Sequence, residues 1–428
     1  FYIQEKKKDE FINTFISKAK KLKMSPRDLA DQMIHSASCD MESLKVRPAT
    51  YEPKVSDFIP QIIEMIETLI QKNFAYNTTD GDVYYRVSQK NDYGKLSNRR
   101  PEELQSGTRS LVAGQKESPF DFALWKKDTT PDASWESPWG KGRPGWHIEC
   151  SAMSKAYLGN SFDIHGGGQD LVFPHHENEI AQSEAANGCV YANYWLHSGL
   201  LTLNHQKMSK SIGNTLTIKD FLKTWDVEVL RLSYLQNHYR SNIDFSKSLF
   251  LQSQKRIFYY YSTLQILDEL SQQERVENKK DIELSKESSL FRLAFQKSMN
   301  DDFNTPKALA EINNLCRQAN SLISKKSKEL SCEKAFSLAE DLRWSGRVFG
   351  LLEEEPRRFI CNLKAKILSQ KDITEKDIHE QISVRNKARG EKNWSLSDKI
   401  RLDLENKGII LKDTKTSSDW IPKELNLD

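Results

Sequence analysis

The sequence has no apolar run near the roughly 18 residues that a membrane-spanning helix requires, which excludes a helical membrane span. It has little surplus of either charge: 63 basic residues against 60 acidic ones leave a net +3. That near-balance excludes a globally basic nucleic-acid binder, so any basic face must be local. Cysteine is scarce, at positions 39, 150, 189, 316, 332 and 361, and no two form a Cys-x-x-Cys pair. In 428 residues such scatter excludes a disulfide scaffold and implies reduced cytosolic thiols, one or more available to a metal. No secretory leader and no internal repeat are visible. The chain opens at Phe1 without a methionine, so a fragment boundary explains the start better than a targeting segment does. The Lys6-Lys7-Lys8 run is expected to be a solvated turn.

What is present suits a folded chain of about three domains, with 38% hydrophobic and 10% aromatic residues. Ser25-Pro26 predicts a helix start, with Leu29, Met33 and Ile34 on its packing face. Ile59, Ile62, Ile63, Ile66, Leu69 and Ile70 predict a second helix. Asp80-Gly81 reads as a turn before a strand over Val83–Val87. Residues 88–145, rich in Gly, Pro, Ser and Trp, suit an irregular insertion better than a regular layer. Phe162–His165 and Tyr194–His197 each have the length of a buried strand, with a helical segment near 175–187 between them. Strand–helix–strand is the unit of a parallel α/β sheet. Beyond Asp226 the pattern is helical, with a polar loop near 271–286 and a break at Glu353–Pro356. The charged tail closes with Ile409-Ile410-Leu411, as a small terminal domain would.

Three groups of residues point to chemistry. Lys207-Met208-Ser209-Lys210-Ser211 follows Leu200, Leu201 and Leu203, a strand candidate, and precedes Gly213. Two lysines among serines on such a loop can meet the charge that builds on a polyphosphate; an exposed basic loop is the plainer alternative. Gly166-Gly167-Gly168-Gln169-Asp170 follows a strand, where glycines permit close backbone approach and an acid can hold ribose hydroxyls. A bare turn would look similar. Cys150, His175 and Glu179 form the third group, with His175 and Glu179 at i and i+4 on one helix face. Thiolate, imidazole and carboxylate make a reasonable zinc set, although a lone cysteine is more often inert and His176 is a rival ligand.

The stretch Gly142-Arg143-Pro144-Gly145-Trp146-His147-Ile148-Glu149-Cys150-Ser151-Ala152-Met153, with Phe162 through Glu179, resembles the cysteinyl-tRNA synthetase family. The Lys207–Ser211 string resembles the second signature of class I aminoacyl-tRNA synthetases. Asp302-Phe303-Asn304-Thr305-Pro306 is similar to that family's helical domain, and Arg389, Trp394, Asp398, Gly408-Ile409 and Trp420 to its anticodon-binding tail. The resemblance runs from about Ser25 to the end.

The resemblance implies an α/β class: an incomplete Rossmann-like parallel-sheet catalytic domain with an inserted connective segment, then a helical domain and a small anticodon-binding domain. The implied boundaries are 1–50 for a helical remnant of the N-terminal catalytic half, 51–141 for the insertion and 142–245 for the second catalytic half. The helical domain then covers 246–355 and the C-terminal domain 356–428. It implies Cys150, His175 and Glu179 as zinc ligands, Trp146 and His175 as walls of the cysteine pocket, and Gly166, Gly167, Gly168 and Asp170 around adenosine. Lys207, Met208, Ser209, Lys210 and Ser211 would hold the phosphates, with Lys207 and Lys210 catalytic. Arg389, Trp394 and Asp398 would read the anticodon by charge, stacking and hydrogen bonding.

The implied reaction joins L-cysteine to tRNA(Cys) with ATP and Mg2+, zinc assisting, in a cytoplasmic monomer. The family's first half-site carries one more cysteine ligand and a His-x-Gly-His helix start, and Gly-His occurs nowhere in these residues. The first half of the catalytic fold is therefore expected to be missing and the chain alone to be inactive. A cysteine ligase of mycothiol biosynthesis, a non-catalytic tRNA-binding fragment, and a zinc-structural protein are the alternatives.

Overall fold

Ser25 and Pro26 begin a helix as the sequence predicts. The Ser25 hydroxyl accepts the Asp28 amide at 3.1 Å and Pro26 takes the first helical position, where a missing N–H costs nothing. The computed structural model describes residues 2–99, 116–130, 133–208, 213–272, 286–327, 329–413 and 418–426, with side chains except at 2–11, 207 and 286. Two compact units divide the chain, Phe1–Leu200 and Leu201–Asp428.

In the first unit, α1 (Tyr2–Lys21) and α2 (Pro26–Ser43) lead. Lys6–Lys8 lie within α1, not in a turn. Leu29 is buried, but Met33 and Ile34 are 46% and 44% exposed, so α2 packs through a narrower face than its spacing implied. Periodicity finds an apolar face and cannot say what covers it. α3 (Ile59–Gln71) buries Ile59, Ile62, Ile66 and Leu69 as expected and adds Met65, each worth about 1.5–3 kcal/mol. Ile63 and Ile70 are only partly buried against the same cluster.

That cluster includes an antiparallel sheet of β1 (Ala75–Asn77), β2 (Val83–Tyr85), β3 (Phe122–Lys127) and β4 (Gly142–Pro144), in that order. The segment expected to be irregular over 88–145 thus supplies two strands of a regular layer. Its breakers are compatible with that role for physical reasons. Pro144 sits on an edge strand, where a missing N–H removes no ladder bond. A Cβ at Gly142 would come within 2.4 Å of the indole nitrogen of buried Trp125, so the glycine makes room for the largest ring of the core. The strand expected over 83–87 stops at Tyr85, and Val87–Gln89 form a tight 3-10 turn.

β5 (Phe162–Gly168) and β6 (Ala192–Ser198) run parallel, joined through α5 (Glu177–Asn187), which is the predicted strand–helix–strand unit. The expectation that both strands are buried does not hold. Ile164 and Tyr194, register partners, are 55% and 68% exposed. Alternation sends them to the open face and sends His165, Trp195 and His197 toward the turn after β5.

In the second unit, β7 (Leu201–Leu203) pairs antiparallel with β8 (Gln206–Lys207) and parallel with β9 (Ile243–Phe245). Asn204 and His205, both in the left-handed region, turn the hairpin. The lysine motif was expected on a loop after β7; Lys207 instead ends β8, and Ser209, Lys210 and Ser211 lie outside the described residues. α6 (Ile218–Thr224) precedes the predicted helical stretch, and beyond Asp226 helices follow as predicted: α7 (Val227–Leu235), α8 (Lys247–Ser271), α9 (Lys286–Met299), α10 (Thr305–Ser324) and α11 (Cys332–Phe349). Most of the polar loop expected near 271–286, residues 273–285, lies outside the described residues. Ile257, Tyr261 and Leu264 of α8 share a core with Leu309, Ile312 and Leu342.

At the predicted break, Pro356 opens α12 (Pro356–Leu368), and the Glu355 carboxylate accepts the Arg357 and Arg358 amides. α13 (Glu375–Gly390), α14 (Trp394–Asn406) and the hairpin of β10 (Ile409–Asp413) and β11 (Ser418–Pro422) complete the chain around Ile378, Leu404, Ile409 and Trp420. Among the described residues, no helix is long and apolar enough to cross a membrane.

Candidate metal centre and nucleotide-binding elements

α4 (Trp146–Leu158) carries Trp146, His147 and Cys150; the last lies three and four residues beyond the others, so all three share a helix face. β5 ends in the glycines and is followed by an irregular turn, Val172–His176, in which Phe173 leaves the helical region. α5 proper starts at Glu177, two residues later than the expected start after Pro174, yet His176 already has helical torsions and the i, i+4 relation of His175 to Glu179 survives.

Cys150, His175 and Glu179 offer ligand atoms that all lie within 4.8 Å of one another. Ligands of a tetrahedral zinc stand about 3.5 Å apart, given bonds of about 2.0–2.3 Å, so small side-chain adjustments would suffice. A second set, His165, His176 and Glu179, meets the same distance test. The two carboxylate oxygens of buried Glu179 separate them. Oε2 accepts a hydrogen bond from the Tyr191 hydroxyl at 3.1 Å and lies 3.2 Å from His165 Nε2. Oε1 lies 2.6 Å from His175 Nε2, yet no donor is aligned on it and it is fully buried. A short contact without a shared proton, at a buried oxygen, is what a coordinated cation would resolve. The Cys150–His175–Glu179 set therefore fits a metal, and the Tyr191 hydroxyl orients its carboxylate.

The surroundings tune the imidazoles. His175 Nδ1 is 2.8 Å from His147 Nδ1, so one of them must donate; with His175 as donor, its Nε2 lone pair points free toward the site. Burial, reinforced by the neighbouring His165, His175 and His197, pulls the pKa of His176 down to about 3. Burial also lowers that of His165, against the pull of the Glu179 carboxylate. Both rings are neutral near pH 7. His176 Nδ1 meets His197 Nε2 at 2.8 Å, and a Cβ at Gly167 would lie 2.6 Å from the His176 ring, so this glycine is needed for the close approach.

The other sequence-predicted residues fall as follows. Trp146 packs its ring 4.5 Å from that of His175 and is partly exposed, so it can wall a small pocket there. Gly166, Gly167 and Gly168 end β5, and a Cβ at Gly168 would meet the Asp170 carboxylate at 2.5 Å. Asp170 itself is exposed on the turn that follows. Met208 is half-buried, whereas nothing is described for the Lys207 side chain or for Ser209, Lys210 and Ser211. In the tail, Arg389 lies 3.2 Å from Asp413, Trp394 is 58% exposed at the first position of α14, and Asp398 is exposed. Gly408, Ile409 and Trp420 are different: Gly408 takes φ +77° and the other two are core. The Asp302–Pro306 motif is a helix start, with the Asn304 side chain accepting the Lys307 amide. Sequence reasoning gave no role to His147, His165 or Tyr191. Only the i, i+3 spacing of His147 and Cys150 could have flagged one of them.

Residues 9–255 match the family described as tRNA synthetases class I (C) catalytic domain, and residues 294–353 match the DALR domain. Among solved structures, the chain is similar to Mycobacterium tuberculosis methionyl-tRNA synthetase in complex with methionyl-adenylate. The TM-score is 0.57 at 13% identity, over 79% of this chain and 82% of that one. A Campylobacter jejuni protein described as a putative arginyl-tRNA synthetase gives a TM-score of 0.52 at 14% identity, over 77% and 69%. These likenesses speak to fold: a Rossmann-like class I synthetase, mixed α/β with a helical C-terminal part. Curated relatives narrow it. The Geobacter metallireducens cysteine--tRNA ligase is 44% identical over 92% of this chain and 81% of its own length. That of Thermodesulfovibrio yellowstonii is 41% identical over 95% and 84%. The chain belongs to the cysteine--tRNA ligase family of class I aminoacyl-tRNA synthetases.

Proposed function

We propose that Cys150, His175 and Glu179 form the zinc centre with which this chain selects cysteine for ATP-dependent ligation to tRNA(Cys). The observation that carries the reading is the orphaned Glu179 Oε1, facing His175 Nε2 at 2.6 Å within a Cys–His–Glu set. Bound there, zinc would take a thiol in its deprotonated, soft form and disfavour a hydroxyl. An apolar pocket alone separates such near-isosteres by only about 1–3 kcal/mol. The protein's own part is to hold the amino acid between Trp146 and His175 and to keep the Glu179 carboxylate aimed through the Tyr191 hydroxyl.

The activation step in this reading is attack of the cysteine carboxylate on the α-phosphorus of ATP, with pyrophosphate leaving. The 3′-terminal ribose hydroxyl of tRNA then takes the aminoacyl group and AMP departs. Gly166–Asp170 would cradle adenosine, and the lysines of Lys207–Ser211, with Mg2+, would meet the phosphate charge. Arg389, Trp394 and Asp398 would contact the anticodon, in keeping with the exposure of Trp394 and Asp398. We also read the chain as cytoplasmic, in keeping with the scattered placing of its six cysteines, and as a monomer. With no Gly-His step in the sequence, these 428 residues by themselves should give no cysteine-dependent pyrophosphate exchange.

The test needs no turnover. Cobalt(II) loaded into the purified chain should show a thiolate-to-metal absorption band that Cys150→Ala abolishes. Added cysteine should strengthen the band and serine should not. A wild-type spectrum without a thiolate band would overturn the assignment.

A further inference from the structure

α5, which carries Glu179, has an unusual way of being held. Its buried side chains are mostly polar: Glu177, Asn178, Glu179, Gln182 and Ser183, with Ile180 and small alanines between them. It has no side-chain cap at its start. A helix without a wide apolar stripe is located by directional bonds, and one loop supplies a large share of these, including all of those to Glu177 and Asn178.

That loop is Lys90–Ser97. Tyr93 donates its hydroxyl to Asn178 Oδ1 at 2.6 Å. The Glu177 carboxylate accepts the Gly94 amide on one oxygen and the Ser97 amide on the other, each at 2.9 Å. Two turns along α5, Glu184 meets Lys90 at 2.8 Å and Lys95 at 2.6 Å. Leu96 packs beside Ile180 and Tyr191, and Tyr191 is the donor that holds Glu179 Oε2. Gly94 stands at φ +96°, and a Cβ there would fall 1.9 Å from the Arg99 carbonyl, so the loop's shape requires glycine. Residues 177 and 178 are gripped by the loop, and residue 179 points at the metal centre.

We infer that the Lys90–Ser97 loop is a positioning element for the zinc centre, with Tyr93 and Glu177 as positioning residues that set the place of Glu179. The inference rests on the zinc reading above. Partners that orient a ligand from outside the coordination sphere commonly change metal affinity about 10- to 100-fold when lost. The Tyr93 bond would act in that way through the backbone of α5.

The experiment compares zinc affinity, by competition with a chromophoric chelator, with the melting temperature of the metal-free protein. The variants are Tyr93→Phe, Glu177→Gln and, as control, Tyr76→Phe, which removes a similar tyrosine bond to buried Asp121 in the same unit. We expect Tyr93→Phe and Glu177→Gln to weaken zinc binding about tenfold or more and Tyr76→Phe to leave it unchanged. The melting temperatures of Tyr93→Phe and Tyr76→Phe should be alike. Wild-type zinc affinity in Tyr93→Phe, or equal weakening in Tyr76→Phe, would overturn the loop's role alone. A wild-type chain that takes up no zinc would overturn the metal reading and this inference with it.

Discussion

His175 Nε2 lies 2.6 Å from Glu179 Oε1, one helical turn apart, and the two atoms share no aligned hydrogen bond. Both side chains are buried, the second imidazole nitrogen is engaged by His147, and the second carboxylate oxygen is held by Tyr191. One ligand atom from each of the two residues and the Cys150 sulfur all lie within 4.8 Å of one another.

Removing a ligand should abolish tight zinc binding and leave the fold. Cys150→Ala and His175→Ala should each weaken zinc by more than about a hundredfold, beyond what outer partners contribute. Equilibrium dialysis with metal analysis measures this, and an unchanged far-ultraviolet dichroism spectrum guards against unfolding. Zinc retained at one per chain in Cys150→Ala would refute the set.

His147 should matter less than the ligands and more than a bystander. His147→Phe removes the partner of His175 Nδ1 in a buried place, and about a 10- to 100-fold loss of zinc affinity is expected. His147→Asn, which can still accept from that nitrogen, should recover part of it. No difference between the two variants would mean that the contact only fills space.

Trp394 should contribute to RNA binding and little to stability. Its ring is mostly in solvent, so Trp394→Ala should leave the melting temperature nearly unchanged. Loss of a stacked base should weaken tRNA binding by about 1–3 kcal/mol, measured by filter binding at fixed salt. A fall in stability with unchanged tRNA affinity would reverse the assignment.

Asp413 should make the packing of α13 against the β10–β11 hairpin acid-sensitive. The bidentate Arg385 guanidinium beside it, helped by Ser418, Arg389 and Arg401, outweighs partial burial and holds its carboxyl well below the usual range. A carboxyl whose folded pKa is depressed adds stability that is complete above its unfolded pKa of about 3.9 and is lost as pH falls toward the folded value. At pH 7, Asp413→Asn should cost about 1–3 kcal/mol, because the buried Arg385 loses its counter-charge while solvent at the exposed carboxylate screens the pair. Urea unfolding at pH 7 and at pH 3 should show that gap narrowing at the lower pH. A gap independent of pH would show that the pair is not what sets it.

The helices were legible because their signals are local. Ser25-Pro26, the isoleucines of α3 and the long amphipathic stretches after Asp226 each specify backbone hydrogen bonds within a few residues. The layer within residues 88–145 was not legible. Gly142 and Pro144 look like breakers until Trp125 needs the space and the edge position makes the missing N–H harmless. The sequence by itself named Cys150, His175 and Glu179 through their types and the i, i+4 step, and the resemblance assigned their role. Only the tertiary structure decided which oxygen of Glu179 is free, that His147 and Tyr191 bond to His175 and Glu179, and that Trp394 is surface while Trp420 is core. The reason is range. A helical step fixes neighbours one turn apart, whereas the direction of a lone pair is fixed by partners from β5, β6 and α4, whose places depend on packing that no short stretch encodes.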